Sequence, residues 1–277
     1  MTRTIPEQPA ECRRENARRF GVSLLPTLAV MTLLLLGHWD WAAGIFWTTF
    51  AIIGYGSITP RARLFGPHVS HLSDRQAARR EVWITIDDGP DPATTPALLD
   101  ILDLHQAKAG FFLIGERAQR HPDLVREIAR RGHLIGNHSQ THPAARFWIL
   151  RPQSMWAEVA GCQQTLRDIL GTAPVWFRPP VGHHNLFLAV PLRTLGLTMA
   201  IWNCRGFDGV VKSPALILRL IARSLKPGAI VLLHDLSPTS AEVLEGTLRL
   251  LAERGLRAAL PESLQAPAPA PTLALTS

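Results

Sequence analysis

An almost uncharged stretch near the N-terminus limits the folds open to this 277-residue chain. Between Phe20 and Ile58 the only charged residue is Asp40, which separates two apolar runs, Val22 to Gly37 and Trp41 to Ile58. As helices these runs would span about 24 and 27 Å, and flanking residues could complete a bilayer core of about 30 Å. The sequence therefore predicts two transmembrane helices, as a hairpin, over residues 20–58.

A cleaved signal peptide and a buried core hairpin are the alternatives for this stretch. The signal peptide fits poorly, because a second apolar run follows the first without a small-residue cleavage site between them. Five arginines precede the hairpin, five follow it within residues 59–80, and none lies in the turn. The positive-inside rule then predicts a multi-pass protein of the cell (inner) membrane with its large C-terminal domain in the cytoplasm. One span plus an interfacial helix would place that domain on the other side.

Charge and cysteine usage exclude several classes of protein. The net charge is +7, but residues 1–80 alone carry ten arginines against five acidic residues, so the excess belongs mostly to the N-terminal segment. The remainder shows no basic stripe in an aromatic or helix-turn-helix context, and we predict no nucleic-acid partner. The three cysteines, Cys12, Cys162 and Cys204, are too few and too widely spaced for a disulfide scaffold or a zinc ribbon.

The composition divides the chain into five regions. We predict a basic N-terminal tail at 1–19, the hairpin, a basic linker at 59–80, a folded domain at 81–260 and a Pro/Ala-rich disordered tail at 261–277. Within the domain, short apolar strands alternate with longer helices, which favours a parallel sheet or barrel covered by helices. The predicted strands are Val82–Ile86, Gly110–Ile114, Val175–Phe177, Thr198–Trp202 and Ala229–Leu233. The predicted helices are Leu98–Gln106, Asp123–Arg131, Ser154–Leu170 with Ser154 as its N-cap, Pro214–Ser224 and Glu242–Arg254.

Two adjacent carboxylates, Asp87 and Asp88, follow the first predicted strand and precede Gly89-Pro90. Functional residues of parallel sheets collect at the carboxyl ends of the strands. Neighbouring side chains on a strand point to opposite faces, so one carboxylate could bind a metal while the other faces another part of the pocket. The alternative is a plain turn, since Asp, Gly and Pro are all turn residues.

A second cluster, His138 and His142, follows the apolar run that ends near Gly136. Histidines four residues apart lie on one face of a helical turn and can bind one ion, although such a pair alone favours capping or surface roles. With Asp88 they supply one oxygen and two nitrogens, which leaves a fourth zinc position open, as in catalytic sites. We predict a divalent metal, zinc before cobalt, with Asp87 as a base for hydrolysis.

Three later segments complete a pattern: 177–182 (FRPPVG), 202–208 (WNCRGFD) and 232–235 (LLHD). With the Asp87-Asp88 and HxxxH segments they resemble the five motifs of the polysaccharide deacetylase family, the NodB-like enzymes of carbohydrate esterase family 4. The resemblance covers roughly residues 81–260. It implies an α/β fold, a distorted (β/α) barrel of the NodB deacetylase type, and metal-dependent removal of an N- or O-acyl group from a sugar.

The resemblance also implies a role for each matching residue. Asp87 resembles the general base, and Arg178 resembles the arginine that pairs with it. His234 resembles the general acid that protonates the departing amine, with Asp208 as the carboxylate that orients it. The implied metal ligands are Asp88, His138 and His142.

Other positions depart from the family pattern. Val181 stands where the family usually has tyrosine, but the implied oxyanion contact is made by the backbone N–H, which valine retains. Arg205 and Gly209 replace an acid and a tryptophan of the fourth motif, which argues against a floor for a long glycan. His183 and His184 are either pocket residues or exposed loop histidines, and Cys204 reads as a core residue.

These features together predict a membrane-anchored, metal-dependent deacetylase that hydrolyses the N-acetyl or N-formyl amide of an amino sugar. The arginine topology places its catalytic domain in the cytoplasm and favours a lipid-linked sugar as substrate. One alternative is a membrane-anchored sugar-binding pseudoenzyme that kept the fold. Another is a deacetylase of cell-wall polysaccharide that faces the periplasm.

Overall fold

A computed structural model describes residues 6–262, so most of the predicted tail at 261–277 lies outside the described residues. Eight strands form one parallel sheet: β1 (Glu81–Asp87), β2 (Gly110–Leu113), β3 (Leu134–Asn137), β4 (Trp176–Phe177), β5 (Thr198–Met199), β6 (Cys204–Arg205), β7 (Ile230–His234) and β8 (Arg257–Ala258). The helices are α1 (Ala10–Leu35), α2 (Trp39–Ile58), α3 (Asp74–Ala78), α4 (Thr95–Leu104), α5 (Gly115–Arg120), α6 (Pro122–Arg130), α7 (Pro152–Leu170), α8 (Ala189–Thr194), α9 (Pro214–Ser224) and α10 (Ser240–Glu253).

The strand order shows that the sheet is curved into an open barrel. The order is β5-β4-β3-β2-β1-β7-β6, with β8 paired to the beginning of β1, and every pairing is parallel. Strands β5 and β6 stand at opposite ends of this order, yet only residues 200–203 separate them in the chain. The sheet must therefore curl until its two edges come near each other.

The strands alternate between a helix-covered outer face and a barrel interior. In β1, Val82, Ile84 and Ile86 belong to the large apolar cluster that contains the outer helices. Thr85 and Asp87 point the other way, into the barrel. Because Asp87 pairs in register with His234 of β7, the carboxyl ends of these strands bring the two side chains to one rim.

Most predicted element boundaries shift by one to three residues in the structure, and two of the changes have a clear cause. The prediction that Ser154 caps α7 was wrong, because the helix begins at Pro152 with Arg151 as its N-cap, and proline is favoured in a first turn. The predicted strand at 198–202 ends at Met199, because beyond it only an isolated bridge joins Ala200 to Val69.

The N-terminal apolar runs form two helices, α1 and α2, that pack against each other. Both are long and apolar enough to cross a membrane by length and composition. Helix α1 begins at Ala10, so it extends into the predicted basic tail. Its apolar side chains from Phe20 onwards are largely exposed, including Leu35 at 85%.

Both helices contact residues 180–194 of the barrel domain, which we call the docking segment, and Cys12 of α1 also packs with Trp156 and Ala160 of α7. At the start of α1, Cys12 Sγ lies 3.0 Å from Thr194 Oγ1, Glu15 pairs with Arg193, and the Arg19 guanidinium donates to the Leu186 carbonyl. At the end of α2, the Ser57 carbonyl accepts from the His184 N–H at 3.1 Å. The hairpin is therefore fixed to the domain at both ends, in addition to being tethered by its linker.

Part of the predicted linker at 59–80 packs on the domain. Ser73 caps α3 by accepting from the Gln76 N–H, and the Gln76 side chain donates to Glu81 at 2.9 Å. Leu72 is buried against the barrel with Trp83. The folded domain thus includes residues ahead of Glu81.

Candidate active site

The two consecutive carboxylates at the end of β1 converge on one histidine. Asp87 Oδ2 lies 3.7 Å from His138 Nε2, and Asp88 Oδ1 lies 3.3 Å from the same nitrogen. An ideal strand would point the two side chains to opposite faces, as the sequence predicts. Asp88 instead has a φ of 73°, so the backbone leaves the extended conformation and both carboxylates reach the same pocket.

The two histidines lie on a loop, which corrects the helical turn predicted from their spacing. His138 follows the last residue of β3, and Ser139 and His142 adopt left-handed φ values of 67° and 55°. The Asn137 side chain shapes this loop by accepting from the Ser139 N–H and donating to the Val159 carbonyl, both at 2.9 Å. No sequence motif assigns this role to Asn137, although the residue directly precedes the HxxxH segment.

Asp88, His138 and His142 together make a donor set suited to a divalent metal. Their ligand atoms all lie within 4.8 Å of one another, and His142 Nε2 is 3.2 Å from Asp88 Oδ1. The His138 ring donates through Nδ1 to the Arg178 carbonyl at 2.7 Å, so its Nε2 carries a free lone pair that faces the site. Asp88 Oδ1 is buried without a hydrogen bond, which leaves it free to bind a cation.

Electrostatics favour a cation at this position. Burial alone would lower the pKa of His138, but the charges of Asp87 and Asp88 raise it, which means that a positive charge is attracted there. Burial and the neighbouring His138 lower the pKa of His142 to about 4, so this ring is neutral at pH 7 and able to bind a metal. Burial would raise the pKa of Asp88, but the two histidines hold it well below its usual range.

Arg178 crosses the barrel interior to hold Asp87. It is fully buried, and its Nη1 donates to Asp87 Oδ1 at 2.7 Å and to Thr85 Oγ1 at 2.8 Å. Its guanidinium carbon lies 4.1 Å above the Phe112 ring, which packs the charge between aromatic and polar neighbours. Asp87 is therefore fixed by one strong ion pair on the side away from His138.

His234 and Asp208 form a second pair on the opposite side of the site. Asp208 accepts from His234 twice, from the backbone N–H at 2.7 Å and from ring Nδ1 at 3.0 Å. Burial alone would lower the pKa of His234, but Asp208, with Asp87 and Asp88, raises it to about 9. The ring is therefore protonated at neutral pH with Nε2 free to donate.

Two further positions carry small residues, Val181 in the turn after β4 and Gly209 beside the His234 ring. Val181 adopts a left-handed φ of 49° in the turn after β4, and among residues 6–262 its N–H has no hydrogen-bond acceptor. Gly209 faces the His234 ring, where an added Cβ would lie 3.6 to 3.9 Å from the ring atoms. A cleft of about 120 Å³ opens beside His234 at this point, with Lys212 and Ser237 in its wall.

Asp235 is a second residue whose role is not predicted from the sequence. It is fully buried, accepts from the hydroxyls of Thr94 and Thr95, and donates its N–H to the Asp87 carbonyl at 2.9 Å. Burial raises the pKa of this carboxyl. Asp235 thus joins the end of β7 to the loop after Asp88. Its position directly after His234 is the one feature of the sequence that points to a role near the site.

Comparison with known proteins agrees with this geometry. A model of the polysaccharide deacetylase family matches residues 74–200. A peptidoglycan-N-acetylglucosamine deacetylase of Bacillus cereus is 32% identical over 183 residues, which cover 62% of this chain and 80% of that protein. The chain belongs to the polysaccharide deacetylase family. The resemblance predicted from the five motifs is therefore confirmed.

Further relatives define the extent of the similarity. The peptidoglycan-N-acetylglucosamine deacetylase PgdA of Listeria monocytogenes is 31% identical over 64% of this chain, but the match spans only 37% of PgdA. A family 4 carbohydrate esterase from Streptomyces lividans, solved in complex with acetate, is 32% identical with a TM-score of 0.61 over 69% of this chain and 98% of the esterase. The predicted distorted (β/α) barrel is confirmed by this structural match. Helices α1 and α2 both end before the residues that the family model matches.

Proposed function

We propose that this protein is a membrane-anchored, metal-dependent deacetylase that hydrolyses the N-acyl amide of an amino sugar. The observation that carries the proposal is the convergence of Asp88, His138 and His142, with Asp87 beside them and His234 across the site. Three protein ligands with an adjacent carboxylate are typical of catalytic zinc centres, whereas structural zinc sites fill all four positions. The relatives named as deacetylases of acetylated sugars support the same reaction class.

Asp88, His138 and His142 would hold the ion, with zinc as the first candidate and cobalt as an alternative. When bound, a divalent ion of this kind lowers the pKa of water and polarises the amide carbonyl. Asp87 is the base in this proposal. It accepts the proton of the attacking water, while its ion pair with Arg178 keeps its second oxygen directed into the site.

His234 is the acid that completes the reaction. As the C–N bond breaks, Nε2 of the protonated ring gives its proton to the amine nitrogen, so that a free amine and a carboxylate leave. Asp208 positions the ring through Nδ1 and stabilises its positive charge. The free N–H of Val181 donates to the oxyanion that forms on the carbonyl oxygen.

The contacts of the hairpin support a location at the membrane surface. The docking segment, residues 180–194, begins beside Val181 and receives both α1 and α2. Gly182 lies between Pro60, two residues beyond α2, and Trp202 of the barrel interior, since a Cβ there would meet either one at 2.7 Å. We therefore propose that a multi-pass hairpin holds the site close to the bilayer, on the cytoplasmic side by the arginine rule.

Release of acetate or formate tests the activity. The full-length chain, purified in detergent and loaded with zinc, should release acid from an acetylated or formylated glucosamine substrate, and chelation followed by zinc should abolish and restore turnover. His234→Gln should reduce kcat by about 100- to 10,000-fold, the range for general acid–base catalysis, while binding zinc normally. A pseudoenzyme would bind the sugar and release no acid under any of these conditions.

A reporter fused after Ser277 tests the topology. With two spans, a cytoplasm-dependent reporter is active and a periplasm-dependent reporter is silent. The opposite result would overturn the cytoplasmic placement and favour an enzyme that faces the cell wall. As a control, deletion of residues 39–58 should invert the two readouts, because one span then remains.

A further inference from the structure

Arg205 lies on the inner face of the barrel, near the proposed catalytic groups. It pairs in register with Leu232 of β7, which in turn pairs with Thr85 of β1. The next inward positions on these two strands are His234 and Asp87. Along the strand direction, Arg205 therefore lies two residues, roughly 7 Å, before His234 and Asp87, on the same face of the sheet.

The guanidinium of Arg205 is held by aromatic rings. Its central carbon lies 4.0 Å from the centre of the Phe207 ring and 5.5 Å from that of Trp202, within the range of cation–π contacts. The side chain is half-buried, and burial lowers its pKa. Throughout the described chain, 6–262, no carboxylate pairs with Arg205 and no hydrogen-bond acceptor contacts it.

Other buried or half-buried arginines in this domain have acidic partners. Arg178 lies 5.8 Å from the same Trp202 ring, but it is paired with Asp87. Arg131, on the outer surface, contacts the carboxylates of Asp100, Asp103 and Glu127. A half-buried charge without a partner is unfavourable unless an anion arrives to pair with it.

Phe207 provides a second observation at the same place. It adopts a φ of 62°, which is strained for a bulky residue, and its side chain is 41% exposed beside the arginine that it supports. A strained backbone conformation of this kind persists only where the surrounding structure holds it in place. The guanidinium therefore lies against the exposed Phe207 ring, in the segment that leads to Asp208.

We propose that Arg205 binds an anionic group of the substrate, a phosphate attached to the acylated amino sugar. This inference rests on the proposed function and narrows its substrate class from neutral glycans to sugar phosphates. A guanidinium matches the geometry of phosphate and of carboxylate, and binds either through paired hydrogen bonds. The hairpin favours phosphate, because Pro60, two residues beyond α2, lies beside Gly182 and close to Trp202, where a sugar phosphate carried by a lipid would meet the site.

Binding by the metal-free, full-length protein tests the proposal without requiring turnover. Calorimetry would compare N-acetylglucosamine 1-phosphate with the methyl glycoside of N-acetylglucosamine, and N-acetylmuramic acid would serve as a carboxylate probe. We expect the phosphate compound to bind about 10- to 100-fold more tightly than the glycoside, the range of a charge-assisted hydrogen bond. Arg205→Met should remove this preference and Arg205→Lys should keep part of it. Arg126→Met, on the exposed face of α6, is the matched control and should retain all of it.

The outcomes separate this proposal from the proposed function. Equal binding of both sugars by the natural chain, or equal loss of both in Arg205→Met and Arg205→Lys, would overturn the role of Arg205. Preference for the carboxylate probe alone would overturn the phosphate assignment. An Arg205-dependent preference without acid release by the zinc-loaded protein would support the phosphate site and contradict the deacetylase.

Discussion

At the scale of single residues, Asp208 contacts His234 through both carboxylate oxygens, one at the ring and one at the backbone. This contact is the main reason that the pKa of His234 rises to about 9 despite burial. An acid of this kind is useful only while it is protonated. The rate should therefore fall as pH increases through the pKa of His234.

Asp208→Asn keeps the size of the side chain and removes its charge. The pKa of His234 should fall, so the alkaline limb of kcat/KM should move to lower pH by about 1 to 3 units, the usual effect of an adjacent opposite charge. The measurement is a pH–rate profile of the zinc-loaded enzyme. Asp123→Asn, which removes an exposed charge from α6, should leave the limb in place. An unchanged limb in Asp208→Asn would show that another group is the acid.

The sequence suffices to predict the identities of the proposed metal ligands, but not the backbone conformations around them. The types and order of Asp88, His138 and His142 suffice to predict a three-ligand set. The positive φ of Asp88 occurs directly after β1, and those of Ser139 and His142 occur in a loop shaped by hydrogen bonds such as those of Asn137, which no local sequence pattern predicts. The role of the buried Asp235 carboxyl could not be predicted for the same reason, since its partners Thr94 and Thr95 lie about 140 residues earlier in the chain.

At the scale of elements, the turn after β4 joins the site to the hairpin through Gly182. This glycine has a φ of 74°, and a Cβ would meet Pro60 and Trp202 at 2.7 Å. Gly171, at the end of α7, has the same φ of 74° and open space around it. The two positions therefore separate backbone strain from close packing.

Gly171→Ala should destabilise the protein by about 1 to 2 kcal/mol, because an L-residue is strained in the left-handed region. Gly182→Ala should cost the same strain plus about 1 to 3 kcal/mol for overpacking, and should also reduce activity. Urea unfolding and acid release would measure both effects. Equal stability of the two variants would contradict the contact between the docking segment and the end of the hairpin.

The contact between α1 and α8 can be tested with a cysteine pair. Cys12 Sγ lies 3.0 Å from Thr194 Oγ1, so Thr194→Cys should allow a disulfide under mild oxidation. The cross-link would change mobility on a non-reducing gel and disappear with reductant. Cys12→Ser in the Thr194→Cys background should abolish it, since Cys162 and Cys204 are buried elsewhere. Failure to cross-link would mean that α1 does not rest on the domain.

At the scale of the whole molecule, the sequence suffices to predict the barrel and the two apolar helices. Periodicity, strand-end motifs and the scarcity of charge in 20–58 each carry a strong local signal. The attachment of the hairpin to the domain has no such local sequence signal. Its contacts join Cys12, Glu15 and Ser57 to residues more than 120 positions away, and no spacing rule relates them.

That attachment joins the hairpin to the proposed site. The docking segment, residues 180–194, contains Val181, so the residues that contact α1 and α2 and the proposed oxyanion donor belong to one stretch of chain. The Arg205 guanidinium lies 5.5 Å from the Trp202 ring, and Trp202 in turn lies close to Gly182 of the docking segment. A substrate that reaches the site from the bilayer would therefore meet the anion contact and the catalytic groups together.

A zinc titration tests whether Asp88, His138 and His142 form one metal site. Protein stripped with a chelator would be titrated with zinc, and bound ions per chain would be counted. We predict one ion per chain in the natural protein and in Asp87→Asn, where the ligands remain and acid release is lost. His138→Ala and Asp88→Asn should weaken zinc binding by more than about 100-fold, because loss of outer-shell partners alone costs 10- to 100-fold. Zinc binding by both variants with the affinity and stoichiometry of the natural protein would contradict the account.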